Sequence, residues 1–197
     1  MRYLTMKNFA MNKAQIMGNV TYVSDIESDK GFFADIYNPY SGTVRVLCNP
    51  SLKDKVIPGT FGIFKGRIAS EVNSSFYKAE YKNSFEVDSF KAFQHQPSFC
   101  INHFSVVGTI TSAIKAKRCY RVQLKLDGGN KNEQLMLIAR TNDVINYIGQ
   151  HVSVSGFEST WDNHGSLENV HTVSSIKPAA DEQVTVAADA EKENADY

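Results

Sequence analysis

The sequence predicts an all-β chain: two tandem five-stranded barrels, each with one short helix, followed by an acidic, disordered C-terminal tail. Three observations carry this. Strand formers dominate, with 12 Phe, 9 Tyr and many Val, Ile and Thr, and no stretch keeps a long helical period. Glycines recur at a spacing of 90, Gly18, Gly59 and Gly66 matching Gly108, Gly149 and Gly156. After Pro178 the composition turns abruptly to Ala, Asp, Glu, Gln, Val and Thr, with no aromatic residue before Tyr197.

The repeat holds in the surroundings of the glycines. Ile16-Met17-Gly18-Asn19-Val20 faces Val106-Val107-Gly108-Thr109-Ile110, and Val87-Asp88-Ser89-Phe90-Lys91 resembles Val173-Ser174-Ser175-Ile176-Lys177 at an offset of 86. In the first copy strands are expected at about 14–23, 31–37, 43–48, 60–69 and 76–91, with a helical turn near Leu52–Ile57. The second copy repeats them at about 103–114, 118–126, 133–140, 151–160 and 167–176, with a turn at Asn142–Tyr147. Thr141 or Asn142 suits the N-cap of that turn, and Gly149 its stop. Glycine inside a strand, as at Gly18 and Gly108, suits the sharp bend of a small barrel. Five strands with a helix between the third and fourth is the OB architecture. The expected domains are residues 1–93 (1–12 as an extension), a linker at 94–100, a second barrel at 101–178 and the tail at 179–197.

Composition narrows the function classes. Residues 179–197 hold six acids against one lysine, a net −5, which leaves +5 on residues 1–178 of a chain with zero formal charge. A mildly basic body with an acidic tail suits a polyanionic partner. Cys48, Cys100 and Cys119 form neither a CxxC pair nor a Cys/His cluster, and Cys48 and Cys119 sit in apolar runs that suit buried thiols. No disulfide, metal or cofactor is expected. No apolar run approaches the roughly 20 residues needed to span a bilayer, and residues 1–13 contain no apolar signal segment. A cytoplasmic protein with no membrane partner is therefore expected. No phosphate-cradling loop, nucleophile elbow or carboxylate pair points to an enzyme.

Met11-Asn12-Lys13-Ala14-Gln15-Ile16-Met17-Gly18-Asn19-Val20 resembles the opening strand of bacterial single-stranded DNA-binding proteins. Gly59-Thr60-Phe61-Gly62-Ile63-Phe64-Lys65-Gly66-Arg67 is similar to the fourth strand of that family, and the acidic ending Ala195-Asp196-Tyr197 to the tips of its bacterial and phage members. Typical members carry one barrel per chain and a longer linker. The resemblance implies binding of single-stranded DNA during replication, recombination or repair. It also implies a tail that recruits proteins of those processes through Asp196 and Tyr197, in a bacterial cell or from a phage. A homodimer is compatible with it.

Such binding needs rings for the bases and cations for the phosphates. Strand alternation buries Phe32, Ala34 and Ile36 and leaves Phe33 and Tyr37 outward. At an offset of 90, Val122, Leu124 and Leu126 match the buried set, leaving Arg121, Gln123 and Lys125 outside. Arg45 and Leu47 face outward in the third strand, as do Met136, Ile138 and Arg140 in its counterpart. The loop between strands four and five offers Phe76, Tyr77, Lys78, Tyr81 and Lys82, with Trp161 in the second copy; Lys115, Lys117, Arg118 and Arg121 form the densest positive cluster. The nominated contacts are thus Phe33, Tyr37, Arg45, Phe76, Tyr77, Lys78, Tyr81, Lys115, Lys117, Arg118, Arg121, Arg140 and Trp161. The exposed rings equally suit a dimer interface, and the alternatives are an OB-type accessory or protein-interaction module, or a binder of single-stranded RNA. The histidines are expected in ordinary surface or core roles.

Overall fold

Among the described residues, ten strands form one continuous hydrogen-bonded system: β1 (Asn12–Val23), β2 (Phe32–Asn38), β3 (Gly42–Cys48), β4 (Phe61–Ser75), β5 (Lys78–Ala92), β6 (Asn102–Lys115), β7 (Tyr120–Leu126), β8 (Gln134–Ala139), β9 (His151–Asn163) and β10 (Ser166–Pro178). This computed structural model describes residues 12–24, 31–75, 78–127, 133–163 and 166–179, without the side chains of 72–75, 78–81, 162–163 and 166–167. Phe76, Tyr77, Asp196, Tyr197 and the acidic segment from residue 180 lie outside the described residues, as do the side chains of Lys78 and Tyr81.

β1 to β5 close on themselves. β1 pairs with β2 and β4, β2 with β3, β3 with β5 in parallel, and β5 with β4. β6 to β10 make the same set of pairings, including the parallel pair β8–β10. Each described strand is paired on both sides along part of its length, which limits the open edges that are the usual hazard of β proteins. The circuits meet where β1 runs antiparallel to β6, with Asn12 opposite Val106, Ala14 opposite Phe104 and Ile16 opposite Asn102. Ala14 and Phe104 are equivalent residues of the repeat facing each other, so this junction has approximate two-fold symmetry. One apolar core runs through both circuits, from Ile16, Phe32 and Val46 to Val106, Leu124 and Leu137.

Local chemistry explains the shared features. Gly18 and Gly108 lie where the next strand crosses: a Cβ there would stand 2.3 Å from the Tyr37 carbonyl oxygen and 2.2 Å from that of Lys125. Only glycine permits so close an approach. Irregularities at equivalent places, between Val20 and Tyr22 and between Ile110 and Ser112, bend β1 and β6 around the circuits. Asn12 and Asn102 each replace a missing ladder partner. Asn12 exchanges two hydrogen bonds with the Ile68 backbone and Asn102 two with the Glu158 backbone, at 2.7–3.1 Å.

The helices expected between the third and fourth strands are short 3-10 turns, at Pro50–Leu52 and Asn142–Tyr147. Asn49 and Thr141 cap them by accepting from the Ser51 and Asp143 amides, and Gly149 follows the second turn with φ 83°. The first turn begins before the expected Leu52 because Pro50 presets its backbone. β4 and β9 run past residues 69 and 160, so much of the expected loop between strands four and five is a paired hairpin. Tyr81 and Trp161 therefore lie in strands. Cys48 is buried, as expected, and burial pushes its thiol pKa up to about 12. Cys119 is half-buried in the turn before β7 instead of inside an apolar strand.

The stretch from Phe93 to Ile101 adheres to the first circuit. Phe93, Cys100 and Ile101 pack on Met17, Phe61 and Ile63, and the Met17 amide donates to the Ile101 carbonyl at 2.7 Å. Asn38, fully buried, donates to the Met17 and Ile101 carbonyls.

Candidate nucleic-acid interface

The outward residues of β1, β2 and β3 form one face. Phe33 and Tyr37 are 37% and 46% exposed, while Phe32, Ala34 and Ile36 behind them are fully buried. Between the two rings on β2 lies Asp35, which Arg45 on β3 grips through Nε at 2.7 Å and Nη2 at 2.9 Å. That hydrogen bond raises the Arg45 pKa above its ordinary value against a smaller opposing effect of burial. Arg45 thus occupies the expected face with its charge already matched. Tyr22, Ser24, Phe33, Asp35 and Arg45 line a groove of about 340 Å³.

The matching face of the second circuit differs in chemistry. The ladders set Tyr37 opposite Asn19 and Lys125 opposite Thr109, Ile36 opposite Val20 and Leu124 opposite Ile110. The structural offset in this strand is therefore 88, not 90, because the β1–β2 connection is two residues longer than its counterpart. Val122 and Leu124 match Ala34 and Ile36. Two residues is one full period of a strand, so the inward and outward sets survive the correction. Phe33 corresponds to Arg121, Tyr37 to Lys125 and Asp35 to Gln123. Arg121 and Lys125 are exposed, as are Lys115, Lys117 and Arg118 around the β6–β7 turn and Arg140 just after β8. Ion pairs among the described residues join Arg45 to Asp35, Arg67 to Glu86 and His171 to Glu158, His151 contacts Asp127, and none of these engages Arg121, Lys125 or Arg140.

Each circuit reaches across to the other. The Met136 amide of β8 donates to Ser70 Oγ of β4 at 2.9 Å, and Asn83 of β5 donates to the Met136 carbonyl at 3.2 Å. In return Thr160 of β9 donates to the Thr43 carbonyl of β3, and Asn169 of β10 to the Arg45 carbonyl. Ser70 pairs with Asn83 in one hairpin, and Thr160 with Asn169 in the other, so the exchange is reciprocal. It corrects one expectation: Met136 points away from its own circuit but is only 8% exposed, because the β4–β5 hairpin covers it. Trp161, next to Thr160, is 67% exposed. Its hairpin rests on Thr43, whose cross-strand partner is Tyr37, which brings the second hairpin to the first aromatic face.

Sequence reasoning missed Tyr22, 51% exposed in the groove. The break in alternation at Thr21 was the signal, since a bulge re-aims the residues after it. Lys125 was recognised as outward but not nominated, and the offset of 88 makes it the equivalent of Tyr37. The larger surprise is buried. His171 and Glu158 are both essentially inaccessible, with His171 Nδ1 2.7 Å from Glu158 Oε1 and Nε2 3.0 Å from the Ala69 carbonyl. Burial by itself would lower the His171 pKa; the Glu158 charge and hydrogen bond, with the Ala69 carbonyl, outweigh it and raise the pKa above the usual value. Among the described residues no group of three or more His, Cys, Asp or Glu is arranged to hold a metal ion.

Two solved structures of the single-stranded DNA binding protein from Thermus aquaticus have this fold. The wild-type protein aligns with TM-score 0.60 at 11% identity, over 86% of this chain and 93% of that one. A deletion mutant of it gives TM-score 0.59 at 10% identity, over 86% and 95%. The likeness is one of fold. No family model matches the sequence, and no curated protein matches it either.

Proposed function

We propose that this chain binds single-stranded DNA without sequence specificity and performs no chemistry on it. The observation that carries this reading is the pair of equivalent outward faces, one bearing exposed rings and the other exposed unpaired cations, on circuits of OB connectivity. Rings offer stacking that any base accepts, and cations follow the phosphate chain. The Thermus aquaticus protein of the same fold, a single-stranded DNA binding protein by its description, supports the choice of ligand. The two circuits are read as tandem OB barrels, in a cytoplasmic protein of bacterial or phage type. The acidic tail is read as a recruiting segment for replication, recombination or repair proteins. It would compete weakly for the basic face until DNA displaces it, so deleting residues 179–197 preserves or raises DNA affinity and abolishes recruitment.

Trp161 is the single tryptophan and is exposed, so its fluorescence reports binding directly. Titration with oligo-dT at several salt concentrations should give saturable quenching. The logarithm of affinity should fall with the logarithm of salt by about 0.7 for each phosphate neutralised, and duplex DNA should give little signal. Weak binding independent of salt would refute the reading in favour of a protein-interaction module, and tighter binding of oligo-U would move the ligand to RNA.

A further inference from the structure

The two faces are equivalent in position and opposite in chemistry. Where the first circuit sets Phe33 and Tyr37, the second sets Arg121 and Lys125; where the first sets Tyr22, the second has Ser112. Across β2 and β3 the first face carries no net charge, because Asp35 cancels Arg45, and Lys53 at its edge is held by the Ser24 carbonyl. The second offers no exposed ring at these positions: Tyr120, which precedes Arg121, is buried at 7% exposure. The β9–β10 hairpin rests on β3 of the first circuit through Thr160 and Asn169. An uncharged aromatic face cannot neutralise phosphates, and a cationic face without rings cannot hold bases by aromatic stacking.

We infer that the two copies divide the recognition of a single strand, bases stacking on the first circuit and phosphates held by the second. The inference rests on the single-stranded DNA reading above. Duplication would then have let each copy discard half of the chemistry a lone barrel needs. The chain's salt sensitivity resides in its second half and its grip on bases in its first.

The test compares the full-length chain with Phe33→Leu/Tyr37→Leu and Arg121→Gln/Lys125→Gln variants, all exposed positions outside the core. Each is titrated across a salt series with oligo-dT and with an oligonucleotide of the same length lacking every base. The aromatic pair should weaken oligo-dT binding by roughly tenfold or more for each ring lost. It should leave both the salt slope and the affinity for the baseless strand unchanged. The cationic pair should weaken both ligands by the same factor and reduce the salt slope by about 1.4, from about 0.7 per phosphate contact. Tyr22→Leu should follow the first pattern and Lys117→Gln/Arg118→Gln the second, which guards against a local folding defect in either pair. Both pairs changing the salt slope equally, or the aromatic pair weakening the baseless strand as much as oligo-dT, would overturn the division. A wild-type chain that binds neither oligonucleotide would instead overturn the underlying function.

Discussion

Glu158 and His171 face each other across β9 and β10, and the equivalent register in the first circuit pairs Ile68 with Phe85. The same architecture therefore tolerates an apolar pair at this place. Both His171 nitrogens point at acceptors, the Glu158 carboxylate and the Ala69 carbonyl, so the geometry calls for an imidazolium with two donors. With side-chain exposures of 0% and 2%, the pair belongs to the buried class and not to surface pairs worth about 0–1 kcal/mol. His171→Leu leaves a carboxylate buried without its cation and should destabilise the chain by about 3–5 kcal/mol. Glu158→Ile leaves an imidazole that can shed its charge yet keep the Ala69 bond, at a cost of about 1–3 kcal/mol. The double substitution restores the apolar pattern of the first circuit and should lie between neutral and about 4 kcal/mol more stable than the parent. Leucine is chosen at 171 because Phe104 stands where the first circuit has Ala14, with its ring centroid 6.1 Å from that of His171, and a second phenyl ring would overfill the space. Urea unfolding of the four proteins followed by circular dichroism at neutral pH measures the coupling. Strict additivity of the two single substitutions would refute the buried-pair reasoning.

The same pair predicts a pH dependence. A histidine whose folded pKa is raised contributes stability in full below its unfolded pKa, near 6.5, and loses it as pH rises through the folded value; parent stability should decline above neutral pH, and the difference from the double variant should shift with it. Gly108→Ala should cost about 1–3 kcal/mol by forcing apart β6 and the Lys125 carbonyl. At Gly42, where φ is 76° but nothing lies within 4 Å of a Cβ, alanine should cost only about 1 kcal/mol of backbone strain; equal losses at the two sites in thermal melts would contradict the steric account. With its pKa near 12 and no exposure, Cys48 should resist thiol-specific reagents at pH 8 until the chain unfolds, while Cys100 and Cys119 react in the native state; native labelling of all three thiols would refute this. Arg45→Ala strands Asp35, 8% exposed, and should destabilise by about 1–3 kcal/mol, whereas Asp35→Asn/Arg45→Gln should recover most of the loss in chemical denaturation.

The strand pattern was largely legible in the sequence because burial imposes a period of two on every strand of a closed sheet. Phe32, Ala34 and Ile36 alternate with Phe33 and Tyr37 whatever the rest of the chain does, and the glycines at 18 and 108 mark the same crossing twice. Even the misjudged offset in β7 did no damage to the assignment of faces, since an error of two residues returns each side chain to its own side. Helix type was less legible. Pro50 and the short spans available produced 3-10 turns where a helix was expected, and hydrophobic spacing does not separate the two.

Relations between distant segments were invisible. No local pattern tells that Ser70 and Asn83 cover Met136, or that Thr160 and Asn169 hold β3; those bonds depend on the angle at which the β1–β6 pairing sets one circuit against the other. Nor does sequence show that Arg45 faces outward already neutralised, or that His171 is buried against Glu158 and not a surface residue. The sequence by itself determined the strands, their inward faces and the repeat, because these follow from side-chain alternation and backbone sterics within a few residues. Tertiary structure alone decided which outward residues remain open, which charges cancel and where two copies of one pattern acquire different chemistry, because desolvation and charge pairing depend on neighbours that the chain brings together only when it folds.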